Sequence, residues 1–182
     1  MSAMLSTMMN TPLGVSTLHR FGARHFGSSR VGDYDGERIH WRSYEEIDSA
    51  SARLANALTT LGLSEGDRVG TFMWNSTQHL EAYLAVPSMG GVLHTLNCRL
   101  SAAHVAYIIN HAGDRFLIID GRLLDSFLPI LPLIPNVECL IVTETGHDMA
   151  ASLNDPRMVS YEDIVAEAEA GFSWPEPAEN SA

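Results

Sequence analysis

Within one hexapeptide, His94-Thr-Leu-Asn-Cys-Arg99, stand an imidazole, a hydroxyl, an amide, a thiol and a guanidinium. The apolar run at 92–96 just before and within it reads as a strand of a parallel sheet. The hexapeptide therefore leaves the carboxyl end of a central strand, where open α/β sheets bind their ligands. Loop residues there are free of packing duty and can face a cleft. His94, Thr95, Asn97 and Arg99 are the candidate substrate-binding residues. A guanidinium at Arg99 suits a bidentate contact with a phosphate. The structural alternative is that Asn97 supports the turn and Arg99 pairs with a neighbouring acid such as Asp120.

Other chemistries lack their residues. All eleven cationic side chains are Arg, with no lysine, so lysine-dependent chemistry is outside the reach of this chain alone. Neither the Gly-x4-Gly-Lys phosphate loop nor a GxGxxG fingerprint occurs, and HExxH, HxxxH and GxSxG are absent. His104 and His111 lie seven apart on one expected helix face, too far for shared ligation and without a Cys or carboxylate at a useful interval. No catalytic residue and no metal ligand is assigned. The two cysteines, Cys98 and Cys139, are isolated, which suggests neither a zinc site nor a disulfide and fits free thiols in a reducing, cytoplasmic compartment. Trp74-Asn75, at another strand end, reads as structural, with Asn75 a cap and Trp74 buried.

A chain of 182 residues is one ordinary domain or a piece of a larger one. A net charge of −11 argues against nucleic acid or an anionic membrane, which call for a basic face. No run approaches the roughly 20 apolar residues a membrane span needs, and no basic, apolar signal peptide opens the chain.

The elements that must carry the hexapeptide follow from pattern. Residues 1–17, Met-rich and without period, read as an N-terminal arm, 18–172 as the α/β body, and the Pro-rich 173–182 as a linker. A short helix is expected over 18–26, then a hairpin of 30–34 and 37–41 around the two-residue turn Asp35-Gly36. Ser43-Tyr-Glu-Glu46 is a capping box for a helix reaching Leu61, with Ile47, Leu54 and Leu58 on its apolar stripe. Residues 69–74 form a strand and Asn75-Ser76 cap a helix with Gln78 at the box position. That helix shows Leu80, Tyr83 and Leu84 on one stripe and stops at Pro87 and Gly90-Gly91 before the strand at 92–96. This strand–helix–strand unit is a parallel crossover. Ser101 caps the next helix, residues 116–120 and 138–142 are buried strands with a short helix at 123–131 between them, and Ser160 opens a last helix to Ala170. The class is α/β, a largely parallel sheet flanked by helices with an N-terminal hairpin.

The wording GDRVGTFMWN, then HLEAYLAVPSMGGVLHTLNCRL, then AYIINHA resembles the N-terminal part of AMP-forming acyl-CoA synthetases, the fatty-acid:CoA ligases of the adenylate-forming superfamily. The likeness runs from about Thr11 to the C-terminus. It implies an incomplete N-terminal subdomain of that fold. The family's triphosphate loop, its later ATP-binding motifs and its catalytic lysine do not occur here, and WPEPAENSA resembles the residues that lead into the loop. The resemblance implies that a complete enzyme takes ATP, Mg²⁺, a fatty acid and CoA, forms an acyl-adenylate and pyrophosphate, and releases AMP when the CoA thiol attacks. This chain by itself is expected to bind no cofactor. The resemblance also places His94, Thr95, Asn97 and Arg99 near the CoA entrance or the start of the acyl tunnel, and implies a homodimer through the N-terminal arm. One alternative keeps the scaffold alone, as a non-catalytic interaction or ligand-binding module. Another is an unrelated α/β protein that binds an acyl or nucleotide ligand without turnover. Four strands buried on both faces, with helical stripes at Ile47, Leu80 and Val105, lead one to expect a sheet only partly covered, with an apolar patch and an unpaired edge.

Overall fold

The computed structural model describes residues 13–143 and 147–177; most of the expected arm lies outside them. In chain order the elements begin with α1 (Val15–Phe26), β1 (Arg30–Tyr34), β2 (Ile39–Ser43) and α2 (Tyr44–Thr60). The central unit is β3 (Arg68–Phe72), α3 (Thr77–Ser88), β4 (Val92–Thr95) and α4 (Ala102–Ala112). β5 (Phe116–Ile119), the short α5 (Leu124–Phe127) flanked by 3₁₀ turns, and β6 (Cys139–Val142) follow, and α6 (His147–Leu153), β7 (Met158–Ser160) and α7 (Tyr161–Glu167) complete it. β1 and β2 form a separate antiparallel ribbon, and the other five strands make one parallel sheet in the order β4-β3-β5-β6-β7. β7 is a fifth strand beyond the four expected. Three residues that follow Asp155-Pro156-Arg157 carry no period for a pattern to detect.

The sheet's centre is where the apolar runs are. Every residue of β5 and β6 is buried, and alternate side chains feed two cores. On one face Phe72, Leu117, Ile119, Leu140 and Val142 meet Val105 and Ile109 of α4, with Phe127, Ile130 and Ile134 closing over them. On the other, Val69, Phe116, Ile118 and Ile141 meet Leu54 and Leu58 of α2 and Ala82, Ala85 and Val86 of α3. Both faces of the sheet are thus covered within the chain. Among the described residues the sheet shows no bare patch, because α5, its flanking turns and α7 supply cover that three helical stripes do not account for. Apolar exposure sits elsewhere, at Leu18 and Phe21 of α1 and at Tyr34 and Trp41 of the ribbon.

Several local expectations hold. Ser43 and Glu46 make both bonds of the capping box, and Ser76, Ser101 and Ser160 each accept from the backbone N–H three residues on. Others are corrected. The ribbon turn has four residues, 35–38, because Tyr34 pairs with Ile39. In it the Asp35 carboxylate accepts from the N–H groups of Glu37 and Arg38, and Gly36 takes φ +104°. Asn75 is exposed and caps nothing, and the box position after Ser76 is His79, not Gln78. Of the expected stripe on α3, Leu80 and Leu84 are only half-buried, beside Leu18 of α1 and Ile47 of α2. The helix buries Thr77, His79, Glu81, Ala82, Ala85, Val86 and Ser88, while Tyr83 is exposed. That face is mixed, with Ala82, Ala85 and Val86 in the core of the sheet and His79 and Glu81 bonded to polar groups on neighbouring elements. The last helix ends at Glu167 rather than Ala170.

Candidate functional site

The carboxyl ends of the strands are tied into one edge. The ladder runs one residue past each strand, with Leu96 N–H donating to Thr71 O, Asp120 N–H to Phe72 O and Thr143 N–H to Ile119 O, at 2.9–3.0 Å. The loops leaving β3, β4, β5 and β6 therefore start side by side. At the end of β5 the Asp120 carboxylate, 2% exposed, takes both Nε (2.9 Å) and Nη2 (2.7 Å) of Arg122. That contact raises the guanidinium's pKa. Gly121 N–H donates to Thr143 Oγ1 at 2.9 Å, which joins this loop to the end of β6.

Asp120 is thus occupied by Arg122 and is not the partner of Arg99. Arg99 instead lies over the Trp74 ring, its Cζ 5.8 Å from the centroid. Trp74 is 40% exposed, which corrects its expected burial. The turn below Arg99 is closed by Asn97, whose Oδ1 accepts from Arg99 N–H at 3.0 Å, as the structural reading expected. Trp74 is held from beneath by His79. Its Nδ1–H donates to Trp74 O at 3.1 Å and its Nε2 accepts from Thr71 Oγ1 at 3.0 Å. Burial lowers the His79 pKa, which suits a neutral ring that both donates and accepts.

The four candidates do not form one cluster. His94 and Thr95 belong to β4 and not to the loop. Thr95 is exposed. His94 pairs in register with Gly70 of β3 and turns to Asp114, its Nδ1 2.9 Å from both carboxylate oxygens. The Asp114 side chain is fully buried, and desolvation pushes its pKa up while the His94 contact pulls it down. This contact passes over Gly70, where an added Cβ would stand 2.3 Å from Leu117 Cδ2 and 3.0 Å from Asp114 Oδ2. Gly70→Ala is expected to destabilise the protein by about 1–3 kcal/mol, because Leu117 is fully buried and cannot swing away. Urea denaturation checks this, and an unchanged midpoint would show that the face relaxes freely.

The exposed edge is therefore Asn97, Arg99 and Trp74, a cation on a flat aromatic surface suited to an anionic or π-faced ligand. Sequence reasoning read Trp74 as structural and missed His79, Asp114 and Arg122. The strand-end rule that selected the hexapeptide applies equally to Trp74 and to the loop after Asp120, whereas nothing local marks His79 or Asp114. Among the described residues no three His, Cys, Asp or Glu side chains come together. These residues do not fit a Mg²⁺ site.

The model of the AMP-binding enzyme family matches residues 23–178. The medium-chain-fatty-acid–CoA ligase of Ectopseudomonas oleovorans is 34% identical over 184 residues, covering 98% of this chain and 33% of that protein. The long-chain-fatty-acid–CoA ligase of Thermus thermophilus is 40% identical over 146 residues, 79% of this chain and 27% of that one. The anthranilate CoA ligase AuaEII, solved in complex with anthranoyl-AMP, has the same fold with a TM-score of 0.81 at 15% identity, over 98% of this chain and 32% of that chain. The chain spans about a third of the length of the curated relatives it matches. The parallel sheet, its two helical layers and the ribbon are those of the N-terminal part of adenylate-forming CoA ligases. With the family model matching residues 23–178, this chain belongs to the AMP-binding enzyme family.

Proposed function

We propose that this chain is the N-terminal portion of a fatty-acid:CoA ligase. In complete form the enzyme would activate a fatty acid with ATP and Mg²⁺ to an acyl-adenylate and pass the acyl group to CoA. The carrying observation is identity of 34% and 40% with a medium-chain and a long-chain fatty-acid–CoA ligase. The chain's part is the sheet whose strand ends wall the substrate cleft. Arg99, steadied by Asn97 and Trp74, meets a CoA phosphate, and His94 and Thr95 stand in the strand behind it. Two unpaired cysteines, Cys98 and Cys139, fit a cytoplasmic, reducing compartment. The same reading includes a homodimer through the N-terminal segment, for which Leu18 and Phe21 offer an exposed apolar surface. A scaffold-only module has no observation of its own in its favour.

Steady-state kinetics of the complete ligase test the proposal. Arg99→Ala is expected to raise the KM for CoA about tenfold or more, the effect of one lost charged contact, and to leave the KM for ATP unmoved. An unchanged KM for CoA would return Arg99 to a structural role. A complete protein that forms no acyl-CoA would overturn the ligase reading itself.

A further inference from the structure

We propose that Arg53 and Asn56 of α2 are positioning residues for the ATP-binding step, acting through the backbone at 168–174; the inference rests on the ligase reading above. Past the end of α7 the chain turns extended at Ala168 and has no ladder to join. Arg53 Nη1 donates to Ala168 O at 2.5 Å, and Asn56 Nδ2 donates to two carbonyls, Glu169 O at 2.9 Å and Gly171 O at 2.7 Å. Arg53 and Asn56 are three apart on α2, so they share a face and act together. Phe172 and Trp174 then pack onto the core beneath α2, ring to ring at 4.7 Å, and Trp174 stands edge-on to the buried His19 of α1 at 5.7 Å.

Satisfying orphan carbonyls does not account for this arrangement. Glu169 and Gly171 are exposed, where water serves their carbonyls equally well. What one amide bonded to two carbonyls adds is register, since both bonds form at only one setting of the backbone. The first residues of the Pro-rich stretch are thereby docked rather than free. This stretch resembles the lead-in to the family's triphosphate loop, so α2 sets the place from which that loop would start.

The test has two arms. By limited chymotrypsin digestion, Asn56→Asp, which keeps the shape and replaces the donor with an acceptor, is expected to speed cleavage after Phe172 about tenfold and leave β5 and β6 uncut. In the complete ligase the same change is expected to raise the KM for ATP about tenfold without moving that for CoA. Arg53→Lys, which keeps a donor for its single bond, stays closer to wild type than Arg53→Leu. Unaltered cleavage after Phe172 overturns the clamp. Faster cleavage with an unchanged KM for ATP overturns the positioning role. A wild-type ligase that forms no AMP overturns the ligase reading and the role that rests on it, an outcome distinct from an active enzyme whose variants keep their KM.

Discussion

Incubated with ATP, Mg²⁺, a fatty acid and CoA, the purified 182-residue chain is expected to form no AMP above a protein-free blank. Phosphoryl and adenylyl transfer depend on preorganised positive charge around the phosphates, and removing even one such donor costs about 10²–10³ in kcat. This chain has no lysine and no phosphate loop. At the strand ends the Arg122 guanidinium is bonded to Asp120, which leaves Arg99 as the cation directed to the exposed edge among the described residues. One guanidinium against a net charge of −11 cannot hold a triphosphate in line for attack. AMP measured by chromatography checks this. Protein-dependent AMP would place the phosphate-binding groups inside these residues and overturn the division of labour proposed here.

Arg42→Ala is expected to destabilise the protein by about 1.5–3 kcal/mol, the effect of taking the cation from a buried charge that keeps one other hydrogen bond. The charge is Glu81 of α3, only 2% exposed. Arg42 of β2 donates to its Oε1, and the Tyr161 hydroxyl of α7 donates to its Oε2 at 2.5 Å. One carboxylate thus ties the ribbon, α3 and the last helix together. Desolvation raises the Glu81 pKa above its ordinary 4.5, and the bonds from Tyr161 and Arg42 offset only part of that. A carboxyl whose pKa is higher folded than unfolded favours the fold while protonated, so its contribution is present below 4.5 and is lost as pH rises through the folded value. Glu81→Gln removes this titration. The Gln variant should therefore gain on wild type as pH rises from below 4.5 to neutral, read by urea denaturation across that window. A constant difference between the two proteins would show that Glu81 is already ionised throughout.

Local chemistry made much of this protein legible in its sequence. The runs at Phe116–Ile119 and Cys139–Val142 are apolar at every position, which only a strand covered on both faces tolerates. Ser43, Ser76, Ser101 and Ser160 cap helices through bonds spanning three residues, a distance the sequence displays directly. The crossover of β3, α3 and β4 and the resemblance to acyl-CoA synthetases were equally readable. What the sequence did not display are partners far apart along the chain. Glu81 finds Arg42 and Tyr161 at separations of 39 and 80 residues, His94 finds Asp114 at 20, and Asn56 finds Glu169 at 113. Those partners let α3 bury His79 and Glu81 beside Ala82, Ala85 and Val86 rather than the apparent stripe of Leu80, Tyr83 and Leu84, and swing His94 away from the loop that Arg99 occupies. Periodicity reports which side chains share a face of one element. Which face is buried depends on what the neighbouring elements bring to it, because a buried carboxylate or imidazole is stable only where its hydrogen-bonding partners converge.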